Sequence, residues 1–145
     1  MKLTRFWNGA RWGLVATVAM SVLMLGGMAS GLSPIPKPIP AAIVGQLLGP
    51  DVAKPLLMGL AIISHLGFGG FFGGLFTLAT DKMTVWKGIG LGVALWLFMQ
   101  IAVLPFLGWG VFGTGITPKI AIATLVLHLV YGASYGALMS RGGEN

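Results

Sequence analysis

No cysteine occurs in the 145 residues, so disulfides, thiolate metal centres and cysteine nucleophiles are excluded. Acidic residues are almost as scarce: Asp51, Asp81 and Glu144 are the three, and all fall outside the apolar runs. Paired-carboxylate acid–base chemistry and carboxylate ion sites are thereby removed from those runs. Charged residues amount to 8% of the chain, against roughly 25% where a surface must face water. What is present is apolar: 56% hydrophobic residues and 24 glycines, glycine being common where membrane helices approach closely. The net charge of +6 does not mark a nucleic-acid binder. The nine Lys and Arg residues sit near the ends of apolar runs, with no basic stripe interleaved with aromatics.

A helix needs about 20 apolar residues to cross the hydrocarbon core. Four stretches qualify: 12–32, 55–79, 88–107 and 118–140. Backbone groups in lipid must be bonded within their own segment, so these are helices, and the expected fold class is an all-α integral membrane four-helix bundle. Lys2, Arg5 and Arg11 before the first run resemble the start of a signal peptide. Its apolar stretch is longer than the roughly 7–15 residues of a signal h-region, so it reads as a retained anchor. Lys2, Arg5, Arg11, Lys82, Lys87 and Arg141 lie on one side of the expected spans, and Lys37, Lys54 and Lys119 on the other. That bias places both termini and the 80–87 loop in the cytoplasm of a multi-pass plasma (inner) membrane protein. Trp7, Trp12 and Trp86 suit the cytoplasmic interface and Trp109 the outer one.

The outer connection 33–54 opens with Pro34, Pro36, Pro38 and Pro40, an alternation that favours an extended path. The apolar stretch 41–48 after it is either an ordered loop packed over the bundle, the expectation favoured by its shortness, or a half-helix on the outer surface. Beyond it the second and fourth runs share a pattern at a constant offset of 63. Pro55, His65, Leu66, Gly69, Gly73 and Leu75 recur as Pro118, His128, Leu129, Gly132, Gly136 and Leu138, while Phe68 and Phe72 recur as Tyr131 and Tyr135. Upstream, Trp12 and Gly13 pair more weakly with Trp86 and Gly88. The expected organisation is a single transmembrane domain, 1–145, of two tandem parallel-oriented hairpin repeats. The first covers 12–79, including the proline-rich loop, and the second covers 86–140. Each hairpin starts inside and returns inside, giving N-in and C-in and an axis along the membrane normal.

Prolines at helix starts are structural, since the missing N–H costs nothing there, and Thr117 before Pro118 is a suitable N-cap. Gly69 with Gly73, Gly70 with Gly74 and Gly132 with Gly136 each form GxxxG, a groove for helix packing. Gly88, Gly90 and Gly92 resemble part of a nucleotide fingerprint, but lie inside an apolar run with no strand before it. His65 and His128 stand apart from this framework. Each lies ten residues into its run from the outer side, about 15 Å deep and close to mid-membrane. If the repeats are symmetric, the two rings face each other across the bundle. Gln100 is the other strongly polar residue at similar depth, within expected reach of His128. Met20, Met24 and Met28 recur every four residues along the first run; thioethers bind Cu(I), but methionine is also a routine filler of apolar gaps.

The stretch from 82 to 140 resembles the YagU-like inner-membrane proteins and related uncharacterised families. The residues that carry the likeness are Trp86-Lys87-Gly88, Gln100, Pro105 with Gly108, and His128-Leu129-x-Tyr131-Gly132. The resemblance implies a bacterial or archaeal plasma-membrane location and no established reaction.

The candidate ligand- or cofactor-binding residues are therefore His65, His128, Gln100 and Tyr131; the candidate packing residues are Gly69, Gly73, Gly132 and Gly136. No catalytic residue is assigned. The plainer role for the histidines is interhelical hydrogen bonding, about 0.6–2 kcal/mol each. The sharper role is a functional site, the default for an ionisable residue inside a membrane. Three functional expectations follow. The first is a structural or regulatory membrane subunit with a paired-histidine polar site, associating with itself or another membrane subunit. The second is a cofactor binder, with haem b or a metal held by His65 and His128. The third is a path for a small solute or proton.

Overall fold

The computed structural model describes residues 2–142. Glu144 and the end of the expected 1–145 domain lie outside them. Five helices account for most of the described residues, among which there is no strand: α1 (Lys2–Ala29), α2 (Ile39–Leu48), α3 (Lys54–Ala79), α4 (Val85–Phe106) and α5 (Lys119–Gly142). α1, α3, α4 and α5 are long and apolar enough to cross a membrane. Even the shortest, α4 with 22 residues, reaches about 33 Å at a rise of about 1.5 Å per residue, against a hydrocarbon core of about 30 Å. Their outer faces carry large apolar side chains: Val22, Ile63, Ile101 and Ile122, one on each helix, are 60–69% exposed. Water-soluble monomers seldom leave such faces uncovered, and lipid covers them without cost.

The boundaries differ from the hydropathy reading mainly at α1, which begins at Lys2 rather than near residue 12. Helical hydrogen bonding continues past the apolar segment because Arg5 finds partners there. Arg5 Nη2 donates to the Thr77 and Thr80 carbonyls at 2.7 and 2.8 Å, while Thr77 Oγ1 donates back to the Arg5 carbonyl at 2.9 Å. The last carbonyls of a helix have no partner of their own, and a cationic side chain satisfies them. Arg5 thus fastens the start of α1 to the end of α3. Its ion pair with Asp81, 3.5 Å long and exposed, adds little.

The stretch expected as an ordered loop after the alternating prolines is a helix, α2. Pro40 stands in its first turn, where proline needs no N–H partner. Ile39, Ala41, Ala42 and Val44 are buried, so α2 lies over the bundle and packs mainly on α3. Trp109, expected at the outer interface, is a core residue only 7% exposed. The tight turn after α4 folds it inward: its N–H bonds to the Leu104 carbonyl and its own carbonyl accepts from Gly115.

Within α4, Met99–Val103 forms a π turn. Pro105 explains it. A proline ring in a regular α-helix clashes with the carbonyl four residues before, and a wider turn relieves the clash. The Leu104 N–H accordingly bonds to the carbonyl of Met99, five residues back.

Close helix approach follows from glycine. A Cβ on Gly13 would meet the Gly69 carbonyl, and one on Gly88 would overlap the Gly132 carbonyl. Only a residue without a side chain permits contact at that separation. α1 therefore lies tightly on α3, and α4 tightly on α5. α1 also packs along α5, their buried residues sharing one core, whereas α3 and α4 barely touch. Thr117 sits where the N-cap of α5 was expected, with the Lys119 N–H 3.4 Å from its Oγ1.

Candidate functional site

The gap between α3 and α4 is the mouth of a cavity of about 310 Å³ inside the bundle. Protein interiors hold few voids larger than a water, whose share of liquid volume is about 30 Å³. Both histidines line this cavity, His65 from α3 and His128 from α5, and so does Tyr131. Gln100 does not. It is fully buried on the π turn of α4, and its Nε2 donates to Thr124 Oγ1 at 2.9 Å, while its Oε1 has no partner. The expected direct link from Gln100 to His128 is therefore indirect. Thr124 joins them: its side chain accepts from Gln100 and its carbonyl lies 2.8 Å from His128 Nδ1.

That last contact fixes the histidine. A carbonyl oxygen only accepts, so Nδ1 carries the proton, and in a neutral ring Nε2 is left as an acceptor. Thr124 stands four residues before His128, one turn away on the same face, which is how a single helix can hold its own histidine. His65 has no comparable anchor, and its Nε2 is enclosed without a partner. A buried polar atom left unpaired costs about 1–3 kcal/mol, so it calls for an explanation.

The remaining polar lining comes from Thr17, Ser64 and Thr124, residues the sequence reading passed over. Each is a hydroxyl within reach of a helix carbonyl. Thr17 donates to Gly13, Ser64 to Ala61 and Thr124 to Ile120, at 2.8, 3.1 and 2.7 Å. Tyr131 donates across the bundle to the Gly69 carbonyl at 2.8 Å, and Tyr135 to the Gly73 carbonyl at 2.6 Å. The corresponding positions on α3, Phe68 and Phe72, have no hydroxyl to return such a bond.

Apolar side chains form the rest of the wall. Met20 and Met24 of α1 and Met99 of α4 line it, so two of the three regularly spaced methionines face the histidines. Ile39, Pro40 and Ile43 of α2 close one end. At the mouth, Phe68 of α3 and Phe98 of α4 stack with centroids 6.4 Å apart and are 40% and 50% exposed. The four candidate packing glycines lie between helix backbones: Gly69, which also borders the cavity, against Thr17, Gly73 against Gly9 and Gly13, Gly132 against Gly88, and Gly136 against Val85.

A second hollow, at the opposite end of the bundle, lies among Arg5, Asn8, Arg11, Thr80 and Lys82. Two of its cations are spent on local partners: Arg5 on the end of α3, and Arg11 on Asn8 and the face of Trp12.

No curated protein and no solved structure matches the chain. A family model described as "Family of unknown function (DUF6789)" matches residues 3–145. That match covers both halves of the chain, more than the resemblance noted for 82–140, and it does not support the YagU-like name. The chain belongs to this family of unknown function, DUF6789.

Proposed function

We propose that this chain is a small inner-membrane protein with both termini cytoplasmic, which binds a mostly apolar small molecule in the cavity between His65 and His128. The observation that carries the reading is the cavity itself. The chain leaves about 310 Å³ unfilled where two imidazoles, three hydroxyl side chains and a tyrosine converge. Ligand sites are of this kind, apolar pockets of about 300–1,000 Å³ with a few placed polar groups. The volume suits an organic molecule rather than a bare ion, although Met20, Met24 and Met99 are soft ligands beside the histidines. The expected regulatory-subunit role becomes, on this reading, the sensing or carrying of that molecule.

The reading is one of binding, not catalysis. Each hydroxyl in the lining gives its proton to a backbone carbonyl and not to an imidazole, so none is activated as a nucleophile. The unequal contacts between helices also belong to the reading. We take the two hairpins as copies of one unit, supported by Gly13 on Gly69 and Gly88 on Gly132. The departure of α3 from α4 gives the pocket its mouth.

Native mass spectrometry tests the proposal. Protein released from mild detergent is expected to carry one apolar molecule per chain. Leu95→Trp, which enlarges a buried wall residue, is expected to abolish the adduct while the helical circular dichroism persists. An adduct kept equally by that variant overturns the assignment to this cavity.

A second reading, haem b between the two histidines, has one observation in its favour. An imidazole whose Nδ1 is held by a carbonyl presents Nε2 for ligation, as His128 does. Against it, no lysine or arginine lines the cavity to meet the carboxylates of a haem. A Soret band lost in His65→Ala and His128→Ala would establish it in place of the first reading.

A further inference from the structure

This inference rests on the binding reading above and names the chemistry of the ligand. A hydroxyl side chain has one proton to give. Those of Thr17, Ser64, Thr124 and Tyr131 are all given to helix carbonyls, so only their oxygen lone pairs remain for the cavity. His128 spends its N–H on the Thr124 carbonyl and offers Nε2 as an acceptor. His65, whose Nε2 is enclosed without a partner, is the one group in the polar lining whose proton is not given to a carbonyl. The cavity is therefore rich in acceptors and almost without donors. Its preferred guest brings a proton of its own.

We propose that the cavity takes an apolar alcohol from the bilayer, its O–H donating to His128 Nε2. The apolar body lies against Met20, Met24 and Met99. The guest arrives sideways, since α3 and α4 barely touch and Phe68 and Phe98 stand exposed at the mouth. A ketone, quinone or ether of the same shape lacks the proton and leaves His128 Nε2 unpaired. A hydrogen-bonding site rejects such an analogue more strongly than an apolar pocket rejects a methylene.

The test uses the full chain in lipid nanodiscs with farnesol and farnesyl methyl ether as probes. The expected result is that the alcohol binds about tenfold more tightly than the ether, the worth of one buried hydrogen bond. In His128→Leu the two probes are expected to bind alike, within about twofold, because the acceptor is gone. Should that variant misfold, the wild-type protein labelled with ¹⁵N-histidine gives the same answer. The His128 Nε2 resonance moves with farnesol and stays with the ether. A decyl hydroquinone set beside its quinone distinguishes a quinol from an aliphatic alcohol as the source of the hydroxyl; preference for the reduced form supports the proposal. Equal affinity for alcohol and ether in the wild-type protein overturns the hydroxyl inference but leaves the cavity as a ligand site. Binding of neither probe, together with an empty native mass spectrum, overturns the binding reading itself.

Discussion

One added carbon at Gly88 tests how closely α4 and α5 lie. A Cβ there stands 2.7 Å from the Cα and N of Gly136 and overlaps the Gly132 carbonyl. Carbon pairs are most favourable at about 3.5–4.0 Å, so the deficit is about 1 Å. The opposing atoms are helix backbone and cannot swing aside, so α4 must move outward as a body. A gap of about 0.5–1 Å forfeits a quarter to a half of each dispersion contact along the seam. Overpacking of this kind costs about 1–3 kcal/mol, and alanine returns up to about 1 kcal/mol of helix propensity. Gly88→Ala should therefore lose about 1–2 kcal/mol net. Gly90, two residues on, has no neighbouring atom within 4 Å of its Cβ position. Gly90→Ala should be neutral or gain up to about 1 kcal/mol. The assay is reversible unfolding in mixed micelles followed by circular dichroism, with both variants in the same detergent. Equal stability of the two variants would refute the packing argument.

Three further outcomes are expected. Tyr131→Phe and Tyr135→Phe each lose a hydrogen bond from α5 to α3, so thermal melting should show each less stable by about 0.5–1.5 kcal/mol. Thr124→Val strands the buried amide of Gln100 and should cost about 1–3 kcal/mol, whereas Gln100→Leu removes the bond together with the unpaired Oε1 and should cost less. The reverse order, measured by the same unfolding assay, would contradict the account of that network. Arg5→Ala releases the Thr77 and Thr80 carbonyls, so hydrogen exchange should quicken at the end of α3 and stay unchanged at its centre.

Much of the frame was legible because hydropathy and length decide it. Spans 55–79, 88–107 and 118–140 differ from α3, α4 and α5 by no more than three residues at either end. The start of α1 was not legible, since the clamp by Arg5 is a tertiary contact between residues 72 and 75 positions apart. Residues 41–48 read more readily as a loop because eight residues make a weak periodic signal. The alternating prolines also pointed to an extended chain, and Pro40 is tolerated only because it falls in the first turn. The π turn left one trace, Pro105 at the end of an otherwise unbroken apolar run. The repeat and the matched depth singled out His65 and His128, and both line the cavity. Thr124 could have been found from its place one turn before His128. Thr17 and Ser64 could not, because only packing shows which hydroxyls border a cavity. The Phe-to-Tyr changes at 131 and 135 were visible as substitutions between repeats. Their consequence, α5 bonded to α3 while α3 stands away from α4, is set by tertiary packing that no local pattern carries.

The meeting of His65 and His128 in one cavity can be measured in the bilayer directly. The chain has no cysteine, so a His65→Cys, His128→Cys double variant carries the only two thiols in the molecule. A short thiol-specific cross-linker is expected to join them within a single chain and to do so more slowly when farnesol is present. A control pair at Ile63 and Ile122, on the outer faces of α3 and α5 at 69% and 68% exposure, is expected not to link. Failure of the 65–128 pair to link in folded protein, or linking no faster than the control, would contradict the account.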